Sequence, residues 1–300
     1  MGGELTERLG WRAVFAANLP VVAVSLLLVL RSRGLFRKPR PAADRPSFDW
    51  PGSALLAGGL TLIIVALRLP GIRAVDGRGR AALLVVFPFW ERRAASPVVD
   101  LSLLGRAAFF GGGSIIALQN MAMYPLLFQL PVFFDGVRGL GARTMGQALL
   151  ALTLAMMLCS VAGGRLAEQI GARAQALVGS LLALAGLWWF ADLSAVRTPL
   201  EVMPGMVLLG AGVGMTSPPA QAASMSAVGR EHSGMAGGVL STLRYLGGVA
   251  GTTALGALVH DPASPASHQR PIFVYAGALV VAAALSLLLP GRQKKQDSTT

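Results

Sequence analysis

Long apolar runs alternate with short basic connectors along the whole chain. The runs cover approximately residues 13–30, 50–69, 79–92, 107–134, 144–164, 174–193, 201–223, 234–258 and 271–289. Several approach about 20 residues, the length that carries an α-helix across a hydrocarbon core about 30 Å thick. A lone strand in lipid leaves its backbone groups unpaired, so the runs are expected to be helices. The pattern therefore predicts an all-α polytopic membrane protein with about nine transmembrane helices. Pro125, Pro131, Pro204, Pro218 and Pro219 fall inside runs. In a bundle such prolines are expected to kink a helix rather than end it. The third run is the weakest, because only Ala81 to Trp90 is free of charge. So short a stretch also suits a re-entrant or buried segment.

Charge decides between the two counts. With nine spans and the 31–49 loop inside, more Lys and Arg fall on the cytoplasmic side than outside. Removing the third run reverses every later loop and inverts that bias. The positive-inside rule thus favours nine spans in a cell membrane, with the N-terminus outside and the C-terminus cytoplasmic. Composition agrees: 54% of residues are hydrophobic and 13% charged, against about 25% charged in a soluble domain. The 37 glycines let membrane helices approach closely, since lipid supplies no hydrophobic drive for association.

The net charge of +12 would suit nucleic acid. The basic residues lie in connectors, however, where topology determinants belong, so no nucleic-acid partner is expected. A single cysteine, Cys159, excludes an intrachain disulfide and a zinc cluster built on cysteines. His232, His260 and His268 read as connector residues without metal-ligand spacing. An intramembrane enzyme needs Ser, His or Asp clustered at membrane depth, and the runs offer no such cluster. No metal, cofactor or catalytic residue is expected.

The stretch STLRYLGGVAG, 241–251, places Arg244 inside an apolar run. A guanidinium in hydrocarbon costs roughly 3 kcal/mol even on the lenient insertion scale. Arg244 lies about 15 Å along the axis from Gly234, which is mid-membrane. Steps of three and four around it give Gly237, Ser241, Gly248 and Gly251. A stripe of small residues is expected to face a neighbouring helix, so Arg244 should point into the bundle or a wet cavity. It reads equally as a substrate or coupling residue and as a structural arginine bonded to carbonyls. None of the 14 acidic residues falls in the middle of a run. The polar groups within runs are the amides Gln119, Asn120, Gln129 and Gln221, the further candidates for substrate or coupling contacts. A proton-driven carrier needs an embedded carboxylate or histidine, and no run shows one.

Three other stretches carry alternatives. GRLAEQIGAR, 164–173, joins two runs on the inner side. Its end glycines permit a tight turn, and Glu168 lies between Arg165 and Arg173, which would suit a carboxylate at a helix start and basic groups at a helix end. GAGVGMTSPP, 210–219, has the look of a phosphate loop. That needs a preceding strand, so helix packing is expected instead. Trp188 and Trp189 read as interfacial anchors. Met121, Met123, Tyr124 and Phe128 beside Gln119 and Asn120 suit either packing or an adaptable apolar ligand surface.

Together these residues resemble the major facilitator superfamily, and within it the fourteen-span drug:proton antiporters. GGELTERLGWRAVFAANLP (2–20) resembles the entry to that branch's sixth span, and FDWPGSALLAGGLTLIIVAL (48–67) its seventh. GMTSPPAQAASMSAVGREHSGMAGGVLSTLRYLGGVAG (214–251) is similar to its twelfth and thirteenth spans, the embedded arginine included. The 164–173 stretch is similar to the superfamily's cytoplasmic loop signature at Gly164, Leu166, Gly171 and Arg173. Glu168 stands where aspartate is usual, and Gln169 and Ala172 where basic residues are usual.

The resemblance implies spans six to fourteen of such a transporter, with the amino-terminal helices and their proton-handling acids missing. It divides the chain into residues 1–47, the last helix of the N-terminal bundle with a basic loop, and 48–106, two extra linker helices. Residues 107–290 would then form a C-terminal six-helix bundle and 291–300 a basic cytoplasmic tail. Small amphipathic molecules and protons would be the partners, together with the lipid bilayer and the missing N-terminal half. A membrane scaffold or partner subunit that does not transport is the alternative.

Overall fold

The computed structural model describes residues 10–32, 101–138, 142–192, 198–229, 232–261 and 264–292. All the regular elements among them are helical, and the protein is an all-α polytopic membrane protein. The runs at 50–69 and 79–92 and most of the basic 31–49 loop lie outside the described residues.

Helices α1 (Trp11–Ala16) and α2 (Asn18–Arg31) form one apolar rod interrupted at Ala17. No residue of α2 is buried, and its valines and leucines are exposed on every side. A 3-10 turn, Leu101–Gly105, leads into α3 (Ala107–Arg138). Then follow α4 (Ala142–Ile170), α5 (Ala172–Trp188), α6 (Pro199–Ser226), α7 (Ser233–Leu258) and α8 (Pro265–Leu285). Among the described residues, four helices are long and apolar enough to cross a membrane, over Ala107–Phe134, Met145–Ile170, Leu200–Ser226 and Ser267–Leu288. Helix α7 is long too, but its glycines, hydroxyls and Arg244 dilute its apolar character.

These six helices form two layers. Helix α6 packs along α4, α5 and α3, while α3 packs along α7 and α8. The front layer therefore runs α4, α6, α3, α7, and α5 and α8 pack against each other behind it. Glycines set the spacing. On α6, a methyl at Gly210 or Gly214 would fall on the α4 backbone at Leu152 or Met156, and one at Gly212 on the α5 backbone at Gly179 and Ala183. The GAGVG stretch is thus a packing face, as close approach in lipid requires.

The core divides in two. One cluster holds Leu126, Leu130, Phe133 and Phe134 of α3 with Leu187, Leu209 and Tyr275. The other holds Phe109, Ile115 and Ile116 with Ala220, Leu240 and Ala282. Between them lies a polar waist, where the buried Gln119 of α3 meets Ser217 of α6 and Asn120 is buried beside it.

The structure corrects three expectations. Helix α4 continues through Gly164 to Ile170, so the reversal is confined to Gly171, at φ +88°. Glu168 therefore sits at a helix C-terminal end and Arg173 in a first turn, the reverse of the favourable dipole pairing. Arg173 is held instead by the chain beyond α8, donating from Nε to Leu289 O (3.0 Å) and from its backbone N–H to Pro290 O (3.2 Å).

Second, His268 is not a connector residue. Helix α8 begins at Pro265, and His268 is 2% exposed against Phe133, with ring centroids 5.1 Å apart. A proline at the first helical position starts the helix six residues ahead of the apolar run, so a histidine is embedded after all. Third, α3 extends past Asp135 to Arg138.

Candidate functional site

Helix α7 meets α3 through glycines. A methyl at Gly247 would fall on the Ala117 carbonyl and one at Gly251 on that of Met121, while Gly248 lies against the Tyr124 ring. The Met121 carbonyl is the one that Pro125 leaves without its N–H partner, and Gly251 lets α7 approach it. Tyr275 Oη of α8 donates to Gly251 O at 3.1 Å, pinning the same crossing. Toward its amino end α7 keeps Ala236, Val239 and Leu240 in one buried cluster with Phe109 and Ile115 of α3 and Ala220 of α6, while the small-residue stripe turns away from both. Gly237 has no atom near an added methyl, and Ser241 is exposed. The expected small-residue stripe is thus a contact face only at Gly248 and Gly251, with Gly247 beside it.

Arg244 sits on the stripe between the part that touches α3 and the part that is open. It is partly buried, and its Nη2 donates to Gln221 Oε1 on α6 at 3.0 Å. Among the described residues, Gln221 is its hydrogen-bond partner, and no carboxylate pairs with it. The guanidinium lines a cavity of about 320 Å³ whose walls come from all four front helices. Asn120, Met123 and Tyr124 come from α3, Met156, Met157 and Ser160 from α4, and Val213, Gly214, Ser217 and Pro218 from α6. One rim is thus cationic, while the remainder is thioether, aromatic, hydroxyl, amide and small apolar surface.

Beneath the cavity, Ser217 Oγ donates to Gln119 Oε1 at 3.3 Å. Gln119 is fully buried, and its Nε2 has no hydrogen-bond partner. Asn120 donates from Nδ2 to Ile116 O, one turn back on its own helix. The structure therefore brings together Arg244, Gln221, Asn120 and Gln119. It does not bring Gln129 with them. Gln129 lies about 14 Å further along α3, is 1% exposed and donates to His268 O at 2.7 Å. It lines a different cavity, of about 410 Å³, with Phe128, Thr252 and His268.

Sequence reasoning also passed over two groups. Ser217 connects Gln119 to the cavity, and its neighbourhood to two prolines concealed it. Gln175, buried in α5, donates from Nε2 to Gly163 O at 2.7 Å and to Met215 O at 3.2 Å. Pro219 removes the N–H that would otherwise reach Met215 O, so Gln175 takes up an orphan carbonyl. A polar residue at the start of an apolar run, in a chain whose later run carries two consecutive prolines, is the signal that would have found it.

The Major Facilitator Superfamily profile matches residues 1–252. The chain is 28% identical over 266 residues to the multidrug resistance protein Stp of Mycobacterium tuberculosis, covering 86% of this chain and 49% of that protein. It is 30% identical over 308 residues to the cephamycin export protein CmcT of Amycolatopsis lactamdurans, covering 97% and 62% respectively. Against an uncharacterized MFS-type transporter, YvkA of Bacillus subtilis, it is 28% identical over 262 residues, covering 86% and 58%. The chain thus spans between about half and three fifths of these relatives' lengths. With a profile match over most of its residues and a bundle of membrane-length helices, the chain belongs to the major facilitator superfamily.

Proposed function

We propose that the chain is the C-terminal part of a proton-coupled secondary transporter that exports small amphipathic molecules by alternating access. In this reading residues 107–290 are one of two rocking bundles. Residues 48–106 are linker helices, 1–47 carry the last helix of the other bundle, and 291–300 are a cytoplasmic tail in the cell membrane. A second bundle, either upstream in a longer polypeptide or on a separate one, supplies the opposing wall. Arg244, Gln221, Asn120 and Gln119 belong to the substrate path, while Gln129 stands apart from them. Gly164, Leu166, Glu168, Gly171 and Arg173 form the cytoplasmic hinge.

The observation that carries the reading is a cavity with one cationic group, lined by residues of α3, α4, α6 and α7. The exposed apolar surface of α2 and α4 suits lipid and leaves room for a partner bundle. Relatives named for multidrug resistance and cephamycin export support the direction and kind of transport.

The test compares cells making the 300-residue chain alone with cells also making the amino-terminal half of a matched relative. Both are loaded with an amphipathic dye. Efflux that collapses with the proton gradient is expected only in the second. Efflux from the chain alone, equal to that of an intact relative, would overturn the need for a second bundle. Co-purification of the halves without any efflux would establish the scaffold reading instead.

A further inference from the structure

We propose that the cavity at Arg244 selects amphipathic molecules bearing an acidic group, which the guanidinium holds as a carboxylate or equivalent anion. This rests on the transporter reading only in treating the cavity as part of the substrate path. A charge at this depth requires a counter-charge or a hydrogen-bonded cage. The structure supplies neither in full. Gln221 Oε1 takes one N–H of Nη2, and among the described residues nothing else takes the rest of the planar fork. That fork matches a carboxylate in bidentate geometry. Gln119, whose Oε1 accepts from the lining residue Ser217, keeps a fully buried Nε2 donor without a partner behind the lining. An excess of donors with no carboxylate among the lining residues favours an anion and repels a cation.

The walls fit the rest of such a molecule. Met123, Met156, Met157 and Tyr124 offer adaptable thioether and aromatic surface. The cavity, about 320 Å³, sits at the small end of the range for organic ligands. A lipid headgroup does not reach this site. Arg244 lies about 16 Å along α7 from its first residue, well below the interface. The competing source of an anion is a carboxylate of the partner bundle, and the test separates the two.

Binding is measured without transport, so failure here is distinct from failure of the transporter reading. The 300-residue chain in phosphatidylcholine nanodiscs is dialysed against radiolabelled 1-naphthylacetate, its neutral amide 1-naphthylacetamide and the cation 1-naphthylmethylamine. The acid is expected to bind about tenfold or more tighter than the amide, the usual scale of a charge-assisted pair, and the cation least. Arg244→Gln should remove the preference and Arg244→Lys should keep part of it.

Gln221→Glu places a carboxylate beside Nη2. It should abolish the preference while the neutral amide still binds, which also reports that the variant is folded. Equal binding of acid and amide by the unaltered chain would overturn the proposal. So would a preference that survives Gln221→Glu, or acid binding that disappears once the amino-terminal half of a matched relative is present. That last outcome would assign the mate to the partner bundle.

Discussion

Gly164 and Gly171 share one sequence signature, yet the structure gives them opposite roles. Gly164 lies within α4, exposed, with nothing near an added methyl. Gly171 holds φ +88°, and a methyl there would meet the backbone of Gly291 and Arg292. Alanine at 164 should therefore stabilise the bundle by about 0.5–1 kcal/mol through lower chain entropy. Alanine at 171 should destabilise it by about 1–3 kcal/mol for a positive-φ, extended-ψ backbone that glycine alone adopts readily, with the collision added. Thermal unfolding in mild detergent reads both, as a small rise in Tm and a clear fall. The spacing of the glycines was legible in the sequence, but not which of them turns. That depends on where α4 stops, and the apolar run fades several residues before the helix does.

At the scale of elements, prolines and amides work in pairs. Pro219 frees the Met215 carbonyl on α6, and Gln175 of α5 reaches it while also bonding Gly163 O of α4. One side chain thus ties three helices. Gln175→Leu should cost about 1–3 kcal/mol, the penalty for stranding buried polar groups. In a Pro219→Ala background the cost should be smaller, because residue 219 then supplies an N–H to Met215 O. A double-mutant cycle by thermal unfolding measures the difference. Equal costs in both backgrounds would show that the Gly163 carbonyl alone accounts for the amide. The kinking prolines were visible in the sequence, whereas their partners lie on other helices and no local pattern points to them.

For the whole molecule, burial is uneven across the front layer. The membrane-length window of α4 is 17% buried, against 56% in α3 and α6. Leu154 and Leu158 are among its exposed residues. If the second bundle seats on this face, single cysteines at 154 and 158, in a Cys159→Ser background, should react quickly with a membrane-soluble maleimide in the chain alone. Adding the amino-terminal half of a relative should slow them several-fold. A cysteine at Val280, exposed on the rear helix α8, should be unaffected. Unchanged rates at 154 and 158 would place the partner elsewhere.

The sequence alone determined that the protein is helical and membrane-embedded, that Arg244 falls inside an apolar run, and that no carboxylate falls in the middle of a run. These properties follow from matching apolar length to a bilayer and from closing backbone hydrogen bonds within a segment, both local along the chain. Only the tertiary structure decided that Gln221 takes the guanidinium, that Gln129 stands apart, and that His268 is buried. It also decided that only the second half of the small-residue stripe touches α3. Those outcomes depend on how each helix is rotated and on which backbone carbonyls its neighbours leave free, and neither is written in the period of one helix.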